Sequence, residues 1–336
     1  MREFKTVNKT FVKSKNDTSK IFLRYTYSLI FILVYIIIYN LITKDYSYTL
    51  NLIKTILIIT PIAIIISYTT NLLKKEKDIK KIFLEDNILA LILIITFFTV
   101  NTPIVIKIIA ITVTMIFKII FKSSTFYPSL YGILTVLIYE LTKTDLITPL
   151  TTLQNSNYIT TYHTVINQTF NLKSYIFGTN YNYLSPILAI IIFIYLFNKK
   201  SIKYNIVISY ISTVFGIMLI IGLINGMNIW YTFFQLLTGN ILFLSIFCLT
   251  DFPMTPTSGE GQVIYGITLG IISSILRFII PELSIVISLI LGPIVLTKII
   301  NRLSFKLRYN QKFYTTSILS LLGVIIITLV LINIII

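Results

Sequence analysis

The chain of 336 residues contains one cysteine, one histidine and one tryptophan. With only Cys248, an internal disulfide or a Cys-x-x-Cys metal site is excluded. With only His163, zinc sites and His-based catalytic triads are disfavoured. Acidic residues are scarce, 12 against 28 lysines and arginines, and all charged residues together make up 12% of the chain. Most soluble-enzyme chemistries are closed to such a sequence, and neither a catalytic set nor a metal-ligand set is assigned.

Apolar residues fill the space that charge leaves. They make up 56% of the sequence, and the mean hydropathy is +0.88. A soluble domain cannot bury that much apolar surface, whereas a lipid bilayer makes it the expected composition. The net charge of +16 does not point to nucleic acid, because the basic residues form no continuous face. They sit in short segments between apolar runs, as in the loops of a polytopic membrane protein.

Crossing the hydrocarbon core takes about 20 apolar residues. Polar breaks divide the chain into predicted spans at 25–42, 51–72, 87–99, 103–121, 127–141, 184–197, 204–224, 229–249, 262–280, 283–300 and 315–336. The runs 87–99 and 184–197 are short for a full crossing. Ahead of them, residues 1–24 are polar and basic, and no cleavable signal peptide is expected. If this segment is cytoplasmic, alternation places Lys74 to Lys81, Lys199 to Lys203 and Arg302 to Lys312 on the same side, as the positive-inside rule requires. The predicted organisation is a cytoplasmic segment 1–24, a first membrane unit 25–141, an outer loop 142–183, a second membrane unit 184–300, a basic cytoplasmic loop 301–314 and an additional helix 315–336.

The two membrane units share a pattern. "NILALILIITFFTVNTP" from Asn87 and "NILFLSIFCLTDFPMTP" from Asn240 both open Asn-Ile-Leu and close Thr-Pro without a gap. Pro103 and Pro256 stand 153 residues apart, as do Pro128 and Pro281. The paired segments lie five spans apart, an odd number, so the repeat reads as inverted. In inverted-repeat membrane folds, short or Pro-interrupted segments at matching positions point to a site near the bilayer midplane. The second copy continues "TPTSGEGQ", in which Thr257 and Glu260 fit a capping box for the helix after it.

Through "GNILFLSIFCLTDFPMTPTSGEGQVIYGITLGIISSILRF" the sequence resembles the RnfD/NqrB family, membrane subunits of ion-translocating electron transport complexes. Gly239, Thr250, Asp251, Pro253, Thr255, Pro256, Gly261, Ile264, Gly266, Gly270 and Arg277 stand at matching positions, although Phe252 separates Asp251 from Pro253 where the family has Asp-Pro. "FYPSLYGI" from Phe126 looks like a worn form of the family's Asn-Pro-Phe-Asn-Pro-Ala segment. The resemblance covers residues 10–310 or so. It implies an all-α polytopic fold of about ten transmembrane helices in two inverted repeats, similar to urea transporters, with 315–336 as an extra C-terminal helix. It also implies membrane and peripheral partner subunits of an Rnf-like complex.

Members of that family carry FMN joined through its phosphate to the threonine of a Ser/Thr-Gly-Ala-Thr motif. The matching stretch here is "TDLITPLTTLQ", which makes Thr148 the expected attachment residue, with Leu146 and Ile147 in place of Gly-Ala. The bulkier pair would hinder a transferase from approaching the hydroxyl. The open alternatives are non-covalent flavin held against Tyr or Phe, and a flavin-free relative acting as transporter, channel or scaffold.

Ionisable residues in or beside apolar runs carry a functional expectation by default. Lys54, Lys107, Glu140 and Arg277 qualify, with Lys54 and Glu140 near enough to helix ends to snorkel. Arg277 is a candidate partner for an anionic cofactor group or for Glu282. Asp251, with Thr250 and Thr255, is the leading acidic candidate: it could coordinate Na+, relay a proton or cap a helix.

Overall fold

The structure is a computed structural model that describes residues 18–42, 50, 53–58, 61, 87–98, 102–121, 124–142, 185–224, 230–237, 240–279 and 283–309. Every regular element among the described residues is helical. In chain order these are α1 (Thr18–Ile42), α2 (Asn87–Ile95), α3 (Ile104–Ile120), α4 (Tyr127–Thr142), α5 (Pro186–Asn198), α6 (Tyr204–Ile224), α7 (Trp230–Leu237), α8 (Ile241–Phe247), α9 (Gly259–Ile279), α10 (Ser284–Leu291) and α11 (Thr297–Tyr309). A short 3-10 turn, Phe252–Met254, follows α8, and a π-helical turn, Gly292–Leu296, joins α10 to α11. Among the described residues, four stretches are long and apolar enough to cross a membrane: Lys20–Tyr39, Tyr204–Ile224, Gly259–Arg277 and Ser284–Ser304. The chain is a multi-pass membrane protein of helical class.

Two departures from the sequence expectation have local causes. The run 229–249 is not one helix but two, α7 and α8, with Asn240 between them in the left-handed region at φ 59°. Thr238, Gly239 and Asn240 are all poor helix formers, and Asn tolerates that conformation better than most residues. Residues 301–309, expected as the start of a basic loop, instead continue as α11. The π turn beneath it contains Pro293, which has no N–H to give to a regular helical ladder.

Small residues set the tightest helix crossing. A Cβ on Gly266 of α9 would lie 1.9 Å from Ser209 Oγ and 2.6 Å from the Ile206 carbonyl of α6. One turn on, a Cβ on Gly270 would lie 2.1 Å from Thr213 Oγ1. Two glycines four residues apart thus face Ser209 and Thr213, also four apart, and let the backbones approach as small-xxx-small pairs do in membranes. Gly132 serves the same purpose between α4 and α3, where a Cβ would meet Thr114 Oγ1 at 2.1 Å and the Ala110 carbonyl at 2.7 Å. These crossings hold α3–α4 and α6–α9 as close pairs; the short helix α2 packs on α3 and α4, and the short helix α8 on α6.

Candidate functional site: a buried carboxylate at a helix break

The segments α2 and α8, which begin the two Asn-Ile-Leu copies, are nine and seven residues long. At 1.5 Å per residue they span roughly 14 and 10 Å, well under the hydrocarbon thickness. The tips of the two helices meet: Phe97, just beyond α2, packs on Phe243 of α8 with ring centroids 5.7 Å apart. From there the rings of Phe243, Phe247, Phe126 and Tyr25 form a continuous aromatic wedge, with neighbouring centroids 4.7, 5.7 and 5.2 Å apart.

Beyond α8 the chain turns through Cys248, Leu249 and Thr250 to Asp251, which is 3% exposed. Its Oδ2 accepts three backbone N–H bonds, from Thr125 at 2.9 Å, Phe126 at 2.9 Å and Tyr127 at 3.0 Å. Those N–H groups form the N-terminus of α4, so a carboxylate from one half of the chain caps a helix of the other. Uncapped N–H groups and the positive end of the helix dipole make this a natural seat for an anion. Lys118, whose Nζ donates to the Ser124 carbonyl, adds its positive field. Burial nonetheless pushes the Asp251 carboxyl above its ordinary value, against the pull of the three N–H donors and Lys118.

The rest of the loop is tied down from several sides. Thr250 Oγ1 donates to the Ile246 carbonyl at 2.6 Å, and Thr255 Oγ1 to the Asp251 carbonyl at 3.0 Å. Thr297 of α11 donates to the Met254 carbonyl at 2.8 Å. Ser258 Oγ, rather than Thr257, accepts from the Gly261 N–H at 3.1 Å and caps α9. Lys203, at the entrance to α6, places its Nζ 3.0 Å from the Phe252 carbonyl and 2.5 Å from Thr255 Oγ1. Burial pushes the Lys203 amine down to about 8, and the charge of Asp251 opposes that shift. At the same end of the bundle, Arg24 of α1 donates to the Lys199 carbonyl at 2.8 Å and to Ser201 Oγ at 2.7 Å, while Tyr25 donates to the Ser201 carbonyl at 3.1 Å.

Of the residues singled out from sequence, Asp251, Thr250 and Thr255 are brought together in this loop. Arg277 lies elsewhere. It is 18 residues past the start of α9, roughly 27 Å along the helix axis. There it is 2% exposed, and its Nε donates to Gln235 Oε1 of α7 at 2.6 Å. Thr148 lies outside the described residues, as do Glu282 and the side chain of Glu140. Lys54 is exposed. Lys107 is 5% exposed, donates to Thr55 Oγ1 at 3.0 Å and stands 5.8 Å from the centroid of the Phe98 ring.

Sequence reasoning missed Lys203, Lys118 and the three N–H groups of residues 125–127. Lys203 was visible only as one member of a basic cluster that speaks to topology. A search of curated proteins finds no match to the chain. A family model does match, over residues 5–299, and with it the chain belongs to the NQR2, RnfD, RnfE family, which makes it a membrane subunit of Rnf/Nqr-type complexes.

Proposed function

We propose that the chain is an RnfD-like subunit of an ion-translocating electron transport complex, where it holds or positions a flavin and couples electron transfer to Na+ or H+ movement. The family match over residues 5–299 carries this reading. It is supported by the two half-length helices α2 and α8 at matching places in the pattern, as expected of two inverted repeats around a midplane site. The N-terminus and the 199–203 turn are assigned to the cytoplasm, and the contacts of Arg24 with Lys199 and Ser201 are consistent with both lying at one end of the bundle.

In this reading FMN is attached through its phosphate to Thr148, followed by the Pro149-Leu150 that ends the family motif. Bound flavin supplies one- and two-electron redox chemistry, and the protein supplies its position and electrostatics. Arg277 is the candidate contact for an anionic cofactor group, and Asp251 with Thr250 and Thr255 the candidate ion or proton site. The test is a denaturing gel viewed under ultraviolet light, with protein from cells containing a working flavin transferase. A fluorescent wild-type band that vanishes in Thr148→Ala is the expected result; a dark wild-type band defeats covalent attachment.

Leu146-Ile147 in place of Gly-Ala favours a second reading, in which the flavin has been lost and the fold acts as transporter, channel or scaffold. Purified protein without any flavin fluorescence, together with solute uptake by the isolated chain in liposomes, would select it.

A further inference from the structure

Four oxygens converge on the Nζ of Lys203. They are the carbonyls of Phe252 at 3.0 Å, Thr255 at 3.4 Å and Pro256 at 3.4 Å, and the Thr255 hydroxyl at 2.5 Å. An ammonium has three hydrogens to give, so the four oxygens exceed what directional hydrogen bonding can use, and the Gln262 amide shares the Pro256 carbonyl at 3.4 Å. The ring of Phe252 adds a fifth electron-rich surface, its centroid 5.1 Å from the Nζ.

The cage does not depend on the lysine for its shape. Pro256 and the 3-10 turn stiffen the backbone, and the Met254 N–H bonds back to the Asp251 carbonyl at 3.1 Å. The Met254 carbonyl is drawn to Thr297, away from the carbonyls that serve the cage. The Thr255 hydroxyl donates to the Asp251 carbonyl, so it presents a lone pair toward the Nζ. A ring of neutral carbonyl and hydroxyl oxygens that replaces a hydration shell is how proteins hold monovalent cations. The three carbonyls, at 3.0–3.4 Å, stand farther off than the about 2.0–2.1 Å that Mg2+ demands or the about 2.3–2.6 Å of Ca2+.

We infer that the 252–256 loop is a monovalent-cation site whose occupant is the tethered ammonium of Lys203, and that removing this ammonium opens the site to a free alkali ion. Burial disfavours the ammonium, and the Asp251 carboxylate, whose field reaches Lys203, offsets part of that cost, which a free ion shedding its water there would also meet. The inference is independent of whether the chain binds flavin. It differs from ordinary capping of loop carbonyls in one measurable respect, because water replaces a cap without ion preference while a cage selects by size and charge.

The test uses the full chain, purified in detergent, and its two variants Lys203→Met and Lys203→Gln. Thermal unfolding is followed in chloride salts of N-methylglucamine, lithium, sodium, potassium and rubidium at matched ionic strength. Wild type is expected to melt within about 1 °C across the series, since its site is filled. Lys203→Met is expected to melt lower in N-methylglucamine and to recover saturably with one alkali ion. Ion at about ten times its Kd raises the folded-to-unfolded ratio roughly tenfold. Lys203→Gln, whose amide occupies the cage, is expected to recover less, and adding Thr255→Val to Lys203→Met is expected to abolish recovery. Melting of Lys203→Met that is the same in every salt overturns the inference. So does failure of both single variants to fold in saturating concentrations of every alkali ion of the series, because none then substitutes for the lysine.

Discussion

Replacing Asp251 tests whether the carboxylate holds the two halves of the chain together at the helix break. In Asp251→Ala, the N–H groups of Thr125, Phe126 and Tyr127 all lose the acceptor they share. Each buried donor left unmade costs about 1–3 kcal/mol, but three donors on one oxygen are not independent. Breaking a single buried charged interaction costs about 3–5 kcal/mol, and that is the expected loss here. Asp251→Asn keeps an oxygen in place and loses the charge. Because charge-assisted hydrogen bonds are about twice as strong as neutral ones, it should cost about 1–2 kcal/mol. Cys248 reports on the site directly: it is the chain's only cysteine, 4% exposed and three residues from Asp251. Its labelling by a maleimide in the native state measures opening of the loop. A loss of 3 kcal/mol should speed labelling more than a hundredfold when opening is in rapid equilibrium, whereas Asp251→Asn should speed it roughly tenfold. Equal labelling of wild type and Asp251→Ala, within a factor of two, would refute the idea that the carboxylate fastens α8 to α4.

Further expectations follow from the same contacts. The Lys203 amine titrates near 8 in the folded chain and near 10.5 unfolded, so the folded state binds fewer protons between those values. Its contribution to stability therefore increases as pH rises from about 8 toward 10.5; thermal melts across this range should show the increase in wild type and lack it in Lys203→Met. Gly266→Ala forces a Cβ against the Ile206 carbonyl at 2.6 Å and should cost about 1–3 kcal/mol, read as a lower melting temperature. Gly216→Ala, in the same helix pair but with open space around the new atom, should be neutral or stabilising by up to about 1 kcal/mol. Phe98, the position that pairs with Asp251 in the sequence repeat, lies beneath buried Lys107. A double-mutant cycle of Phe98→Asp with Lys107→Met should show coupling of about 0.5–3 kcal/mol, and additive melting shifts would exclude an ion pair there.

Much of the helical layout is legible because hydropathy is a direct consequence of bilayer physics. Span 204–224 coincides with α6, and 127–141 falls one residue short of α4. What hydropathy cannot see is a break made within an apolar run. Asn240 interrupts 229–249 without lowering its average hydrophobicity enough to divide it, so hydropathy gives no sign of the break. The candidate site divides along the same line. Asp251 was readable because a carboxylate beside apolar runs is expensive and therefore conspicuous. Its partners were not, because residues 125–127 contribute only main-chain N–H groups, which any non-proline residue supplies.

That distinction applies within "FYPSLYGI" itself. Phe126 and Tyr127 do their work at the helix start through N–H groups, and their rings pack separately, Phe126 on Tyr25 and Tyr127 on Phe121. The N–H groups need no particular side chain, whereas the rings answer to packing: both are buried, and the Tyr127 hydroxyl donates to the Ile290 carbonyl at 2.8 Å. Asp251 is tied to its side chain, since its Oδ2 satisfies three donors at once. A site of this kind leaves half of its signature in the sequence, on the side that contributes a charge. The other half is a helix terminus, recognisable only once the fold has placed it.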